Sequence, residues 1–549
     1  MADYLKIEAA TIYDPVNQID GLVADLWINN DRFCAAPNAP EQHNVRTIRA
    51  HGLVAMPGGV DMHCHIAGSK VNSARKLRVD DKSPETAPGE MERAFSGTGG
   101  SVPSTFTTAY RYAAMGYTTA FDAAVPAALA QQAHLELEDT PCIDKGFYVM
   151  VGNHAAILDA IQHNDPRRLQ RVLGMLLTQT QGFAPKIVNP GGVESWKRLG
   201  TDIRSLDESV AGFRTTPRAI LQNLASASAA LHLPHRLHIH TSHLGLPGNW
   251  KITLESMRAL QGQTAHFTHI QFHSYAGNDA DESSFGSQVQ PLADYINQHP
   301  ELSVDVGQVM FGNTTSMTGD SPVGYFLSQM YKERWISSDT ELEAGCGVVP
   351  IQYRNKSLIH AWQWAIGLEW YLLVDDPWRV VMSTDHPNGG SFQAYPQIIR
   401  LLMDRSYRDE MVSQLPAVVQ EHSLLRELKR EYSLYEIAII TRGGPARLLN
   451  LKHKGHLGIG ADADLTLYLP DDNYQTMFSI PRYVIKAGEV VIDDCEIVAI
   501  PQGKTHSAQI DSAFQWDPET ADLIRQQYSV QPEHLQVQTT DTIQQVVGN

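Results

Sequence analysis

The chain opens with short stretches in which apolar and polar positions alternate, and continues with apolar runs separated by longer amphipathic segments. Leu5-Lys6-Ile7-Glu8-Ala9 and Gly21-Leu22-Val23-Ala24-Asp25-Leu26-Trp27-Ile28 keep the two-residue period of a half-buried strand, with a polar turn at Asn29-Asn30-Asp31. A third run, Gly52-Leu53-Val54-Ala55-Met56, leads directly into Pro57-Gly58-Gly59-Val60-Asp61-Met62-His63. Residues 1–56 therefore predict a small β-domain that hands over to a different architecture at Pro57.

Beyond Pro57, short apolar runs alternate with helical segments, as repeated βα units require. Candidate strands are Val60–His63, Thr118–Asp122, Gly146–Val151, the residues leading to Lys186–Asn189, Arg236–His240, Ala265–Ile270, Leu302–Val306 and Val380–Thr384. Eight such strands make a (β/α)₈ barrel. The expected fold class is thus α/β, a TIM-like barrel over 57–449 with an insertion at about 313–378, a stretch too long for one helix. Helices around 423–450 close it. Strand-like segments within Lys454–Tyr468 and at Tyr483–Ile492 have no helices between them, so 450–500 is expected to complete a β-sandwich with 1–56. Residues 501–549 form a C-terminal extension whose Gln- and Thr-rich end, beyond about 530, reads as a mobile tail.

Composition narrows the function. A net charge of −18 argues against nucleic acid as the main ligand, because phosphate binding needs a positive surface. The start lacks a basic segment followed by an apolar one, so no signal peptide is visible, and no apolar run reaches the roughly 20 residues that span a bilayer. Cys34, Cys64, Cys142, Cys346 and Cys495 form no paired framework, which fits a reducing, cytoplasmic setting. They also form no cluster able to hold an iron–sulfur centre or a pterin-bound metal, so this chain alone has no visible redox role.

The chemistry gathers at strand ends. His63-Cys64-His65 puts two imidazoles on one face of a strand, within reach of one ion. Alone, the pattern fits two surface histidines equally well. His240 ends the fifth candidate strand, His269 the sixth, and Asp385 follows the eighth, and the C-terminal ends of barrel strands converge on one site. Histidine and carboxylate are ligands zinc accepts with positions left open for water. A second ion needs an anionic bridge. Lys186, at the end of the fourth strand, could supply one as a carbamate whose two oxygens span ions about 3.5–4 Å apart. An ordinary surface lysine is the alternative, and it would prevail if the other five ligands were absent. His238 shares the face of His240 and competes with it; His240 is preferred because it lies nearer the strand end. His243, His266, His273 and His386 could orient ligands, although each is better explained as a structural or loop histidine than as a metal ligand.

These strings resemble the amidohydrolase superfamily. Within it they are similar to the A-subunit family of formylmethanofuran dehydrogenases and of the formyltransferase/hydrolase complexes of methylotrophic bacteria. The likeness rests on Pro57–Asn72, Lys186–Gly192, Leu244–Asn249, Thr268–Tyr275 and Thr384–Gly390, and spans about residues 5–495. One departure is Thr241-Ser242-His243 after His240, where small polar residues such as asparagine would be expected.

The resemblance implies two zinc ions, with His63 and His65 on one, His240 and His269 on the other, and carboxylated Lys186 as the bridge. Asp385 would bind metal and act as the catalytic proton carrier. It also implies partner subunits, methanofuran as substrate carrier, and hydrolysis of N-formylmethanofuran to formate and free amine, reversible in principle. Asn72, Asn189, Asn249, Gln271 and His273 are the weaker candidates for substrate contact. The alternatives are a cyclic-amide hydrolase of the hydantoinase or dihydroorotase kind, separable by substrate screening, and a non-catalytic scaffold, separable by metal analysis.

Overall fold

The computed structural model describes residues 4–38, 44–77, 105–278, 281–332, 336–337, 347–510, 513–528, 530–538 and 543–548. Asn72 and Cys64 fall within these segments; Cys346 lies outside them.

Eight parallel strands curl around a common axis: β1 (Gly59–Cys64), β2 (Tyr117–Pro126), β3 (Asp144–Met150), β4 (Ala184–Val188), β5 (His238–His240), β6 (Ala265–Phe267), β7 (Leu302–Asp305) and β8 (Val380–Val381). Each pairs in parallel with the next. The ring closes just beyond the strand ends. His65 N–H donates to the His386 carbonyl at 2.8 Å, and Ser383 Oγ donates to the His63 carbonyl at 3.0 Å. The fold is a TIM-like barrel, as the alternation of apolar runs predicts. Its strands are buried on both faces, so they read as continuous apolar runs rather than as alternation.

The opening segment does alternate, and its strand Tyr4–Asp14 buries every second side chain over most of its length. That strand pairs with Ile19–Asn29, with Val45–Arg49 and with Val54–Pro57. Val54–Pro57 then pairs antiparallel with Leu465–Tyr468, which continues through Tyr483–Lys486 and Glu489–Asp493. Both ends of the chain thus build one connected sheet, over a core that includes Ile7, Ile12, Phe33, Leu465 and Ile485.

A buried charge cluster fastens this sheet to the barrel. Lys454 Nζ lies 2.5 Å from Asp144 Oδ2, 2.9 Å from Asp462 and 2.8 Å from Asp464, while Lys486 Nζ lies 2.9 Å from Asp144 and 3.0 Å from Asp464. Charges this deep persist only when paired, and here each aspartate of the cluster faces a lysine ammonium.

The C-terminal end departs from expectation. Thr505–Gln509 pairs in parallel with the start of β3, and Ile543–Val547, read from its composition as part of a mobile tail, pairs in parallel with Thr505–Gln509 over five residues. The Val547 carbonyl accepts from Asn450, and Val546 packs against a buried cluster that includes Val60, Phe121 and Tyr148. The end Ile-Gln-Gln-Val-Val alternates weakly, and its β-branched residues find partners only when the barrel offers an edge.

The insertion is built of strands Gly312–Thr318 and Gly347–Tyr353, paired antiparallel, and of helix α1 (Ser321–Tyr331). The apolar helix α2 (Leu358–Leu373) then returns the chain to β8. No described helix is long and apolar enough to cross a membrane.

Candidate metal centre

His63, His65, Lys186, His240, His269 and Asp385 all line one cavity at the C-terminal mouth of the barrel. Five of them follow from strand geometry: β1 delivers His63 and continues to His65, β4 delivers Lys186, β5 ends at His240, and His269 lies two residues past β6. Asp385 stands in the turn after β8 at φ +50°, and His269 at φ +35°. Both carry the left-handed backbone common next to functional sites. Gly307 approaches so closely that a Cβ there would fall 2.5 Å from His269 Cβ.

In the first half of the site, Asp385 Oδ1 lies 2.9 Å from His63 Nε2 and 3.2 Å from His65 Nε2. Burial pushes the Asp385 carboxyl up, but the charge on His63 and the hydrogen bonds from both imidazoles outweigh it and hold the group well below the usual carboxylate range. On the other side of His63, Nδ1 lies 3.2 Å from Asp305 Oδ2 and 2.8 Å from His238 Nε2. A carboxylate in that position claims the Nδ1 proton and leaves Nε2 to face Asp385 with its lone pair. Lone pair and carboxylate at 2.9 Å require a positive charge between them, a proton or a metal ion.

In the second half, the rings of His240 and His269 meet edge to face with centroids 4.7 Å apart. His240 Nε2 lies 3.3 Å from Asp320 Oδ2. Lys186 Nζ is fully buried, and burial pushes its amine down to about 7 against the opposing charges of Asp305 and Asp385. Among the described residues, Lys186 Nζ, His240 Nε2, His269 Nδ1, His273 Nε2 and Asp320 Oδ2 make no hydrogen bond. Each such buried atom costs about 1–3 kcal/mol if left unsatisfied, so five at one place mark a position built to receive something else. Imidazoles, carboxylates and a neutral amine able to add CO₂, releasing one proton, are donors that suit zinc. The residues fit a pair of divalent ions.

His240, not His238, faces the cavity. His238 pairs in register with Lys186 one layer lower and belongs to a buried chain: its Nδ1 lies 3.0 Å from His235 Nε2, whose Nδ1 lies 3.0 Å from the Leu448 carbonyl. His266 holds Asp305 Oδ2 at 3.0 Å, His243 bonds the Ile203 carbonyl at 2.6 Å, and His386 packs edge-on against Phe392.

None of the five candidate substrate contacts stands in the cavity lining. Asn72 donates to Glu136 at 2.5 Å, and Asn189 donates to Asp202 at 3.0 Å and to Asp320 at 3.2 Å. Asn249 spends its amide on the carbonyls of His243 and Phe272 and its oxygen on Tyr275 N–H. Gln271 Oε1 accepts weakly from Tyr275 at 3.4 Å. The fifth, His273, stacks on His269 and meets His240, with centroids 5.3 Å from each. The cavity wall is instead apolar: Leu244, Leu246 and Phe272 from the loops after β5 and β6, and Met317, Val323 and Met330 from the insertion. Sequence reasoning missed Asp305 and Asp320 as site residues. Asp305 had a usable signal, an acidic residue at the very end of the seventh strand.

The model of the Amidohydrolase family matches residues 46–492. The chain belongs to that family. Among amidohydrolase relatives, Protein FwdA of Methanocaldococcus jannaschii is 40% identical over 518 residues, covering 91% of this chain and 90% of the relative. The A-type subunit of the formyltransferase/hydrolase complex Fhc of Methylorubrum extorquens is 37% identical, covering 92% and 91%. A chain in the crystal structure of the formyltransferase/hydrolase complex FhcABCD from Methylorubrum extorquens with methylofuran superposes at a TM-score of 0.92. It is 34% identical, with 99% of both chains covered. This amidohydrolase therefore shares its whole architecture, β-domain and C-terminal extension included, with that chain.

Proposed function

We propose that the chain hydrolyses the N-formyl amide of a methanofuran-type amine to formate and free amine, as the A-type subunit of a multi-subunit one-carbon complex. The observation that carries this reading is the convergence of six donor side chains on one cavity around a buried, unpartnered lysine. Its similarity over nine-tenths of the chain to a component named for a formyltransferase/hydrolase complex directs it to a formyl substrate.

His63 and His65 would hold one zinc ion, His240 and His269 the other, with carboxylated Lys186 shared and Asp385 on the first. Such ions supply Lewis acidity to the formyl oxygen and ease deprotonation of the attacking water at neutral pH. Asp385 carries the proton. It takes one from the attacking water and returns it to the amide nitrogen, since an amine leaves only when protonated. Asp305 keeps the His63 imidazole turned so that Nε2 serves the site. The apolar wall of Leu246, Phe272, Val323 and Met330 suits the non-polar body of a carrier amine and excludes water above the polar floor. Amide hydrolysis is reversible in principle, so the same groups could also serve condensation of formate with the amine.

Assembly with partner chains is supported by apolar side chains left in solvent beside the cavity mouth. Met330 is 54% exposed and Phe326 41%, and both line the cavity. Formate release from an N-formylated methanofuran-type amine, measured against a panel of cyclic amides and with or without partner subunits, tests the proposal. Formate from the formamide alone supports it; turnover only of cyclic amides refutes it.

A further inference from the structure

The second half of the site holds three imidazoles, not two. His240, His269 and His273 each present one ring nitrogen, and these three nitrogens lie within 4.8 Å of one another in a fully buried group. We propose that His273 is a third direct donor to the second ion, beside His240 and His269, and that Thr241 fixes it in that role. The inference rests on the two-ion reading above and adds to it a ligand and a positioning residue.

Local chain geometry explains how residue 273 returns to the site. His269, in left-handed backbone, starts the 3₁₀ turn Ile270–His273. One turn later the His273 ring lies over that of His269, tilted by 25°. The residue is then pinned at both ends. Its carbonyl accepts from Thr253 Oγ1 at 2.9 Å, and its Nδ1 lies 2.9 Å from Thr241 Oγ1. With Nδ1 engaged, Nε2 is the atom turned to the site, and it is buried with no hydrogen-bond partner among the described residues. A histidine kept for packing alone would not leave a ring nitrogen buried and unsatisfied beside two others in the same condition.

Thr241 also gains a reason to be where it is. It follows His240 on the same strand end, so one short segment supplies a donor and the hydroxyl that orients another donor. Metal-bound imidazoles are held through their second nitrogen in this way. Three imidazoles and one carbamate oxygen would give zinc four protein donors, to which an attacking water adds as a fifth, whereas two imidazoles and the carbamate would give three and leave water the fourth place.

Cobalt(II) titration of the metal-free, full-length chain tests this, read by visible d–d absorption and by competition with a chelator. Wild type is expected to take two equivalents. In His273→Gln the second should bind roughly 10–100-fold more weakly with an altered d–d band, while the first is unchanged. Thr241→Val should weaken the same equivalent by a smaller factor, and it carries the test alone if His273→Gln fails to fold. An unchanged second equivalent, in affinity and in band, in folded variants overturns the role of His273 and leaves the two-ion reading intact. Failure of wild type to bind two ions overturns both.

Discussion

Asp305 reaches His63 from behind: its Oδ2 lies 3.2 Å from the imidazole Nδ1, on the side away from Asp385. The other oxygen of the same carboxylate accepts the backbone N–H of His269 at 2.9 Å. One buried side chain at the end of β7 therefore sets the ring of one half-site and the backbone of the other. Burial works against its ionisation, but His63 and His266 outweigh it and keep the carboxyl far below its ordinary range.

Asp305→Asn should accordingly lower metal affinity by roughly 10–100-fold without touching a metal donor, since an amide cannot hold the Nδ1 proton as a carboxylate does. Equilibrium dialysis against zinc checks this. Wild-type affinity in the variant would remove Asp305 from the support of the site.

Lys186→Ala should lose at least one ion, and short carboxylic acids should restore part of the loss by replacing the carbamate. Lys186 Nζ is buried with no hydrogen-bond partner among the described residues, so its removal breaks no hydrogen bond that could account for the loss. Zinc content by elemental analysis decides. Two ions per chain in the variant would contradict a bridging role.

Asp385→Asn should keep most of the zinc, through the remaining donors, and lower turnover by roughly 10²–10⁴-fold, the size of a general acid–base contribution. Parallel measurement of metal content and formate release separates the two effects. A normal rate would take Asp385 out of the proton path.

Stability should fall as pH rises through neutrality, in part because of Glu369. Its side chain is fully buried on α2, accepts from Ser287 Oγ and from Leu424 N–H at 2.8 Å, and is pushed up to about 7 by burial. The unfolded carboxyl titrates near its ordinary value of about 4.3. Between these values the folded chain binds the proton that the unfolded chain has released. The contribution is therefore intact below about pH 4.3 and lost as pH rises from there through 7, by about 4 kcal/mol in all. Glu369→Gln should flatten that part of the stability profile, read from melting temperatures between about pH 5 and 8. An unchanged slope would mean that Glu369 does not titrate in this range.

The barrel was legible because its strands are short apolar runs with polar, chemistry-bearing residues at their ends. The six side chains that meet at the cavity could be picked out for the same reason: strand ends converge whatever lies between them in sequence. The pocket was not legible. Asn72, Asn189 and Asn249 looked like substrate contacts by their placement in distinctive strings, but their amides hold Glu136, Asp202 and backbone carbonyls. The wall comes instead from Met317, Val323 and Met330 of the insertion, whose approach to the mouth depends on tertiary packing alone. The final strand was hidden for a related reason. Ile543–Val547 has little β-signal of its own and pairs because Thr505–Gln509 presents an edge.

The central claim is that paired cations sit between His63–His65 and His240–His269, with Lys186 modified between them. Diffraction from crystals of the zinc-loaded chain, collected on both sides of the zinc absorption edge, tests it most directly. Two anomalous peaks are expected at the barrel mouth, with density for a carboxylate on Lys186 Nζ. A single peak beside an unmodified lysine, or none at all, would contradict it.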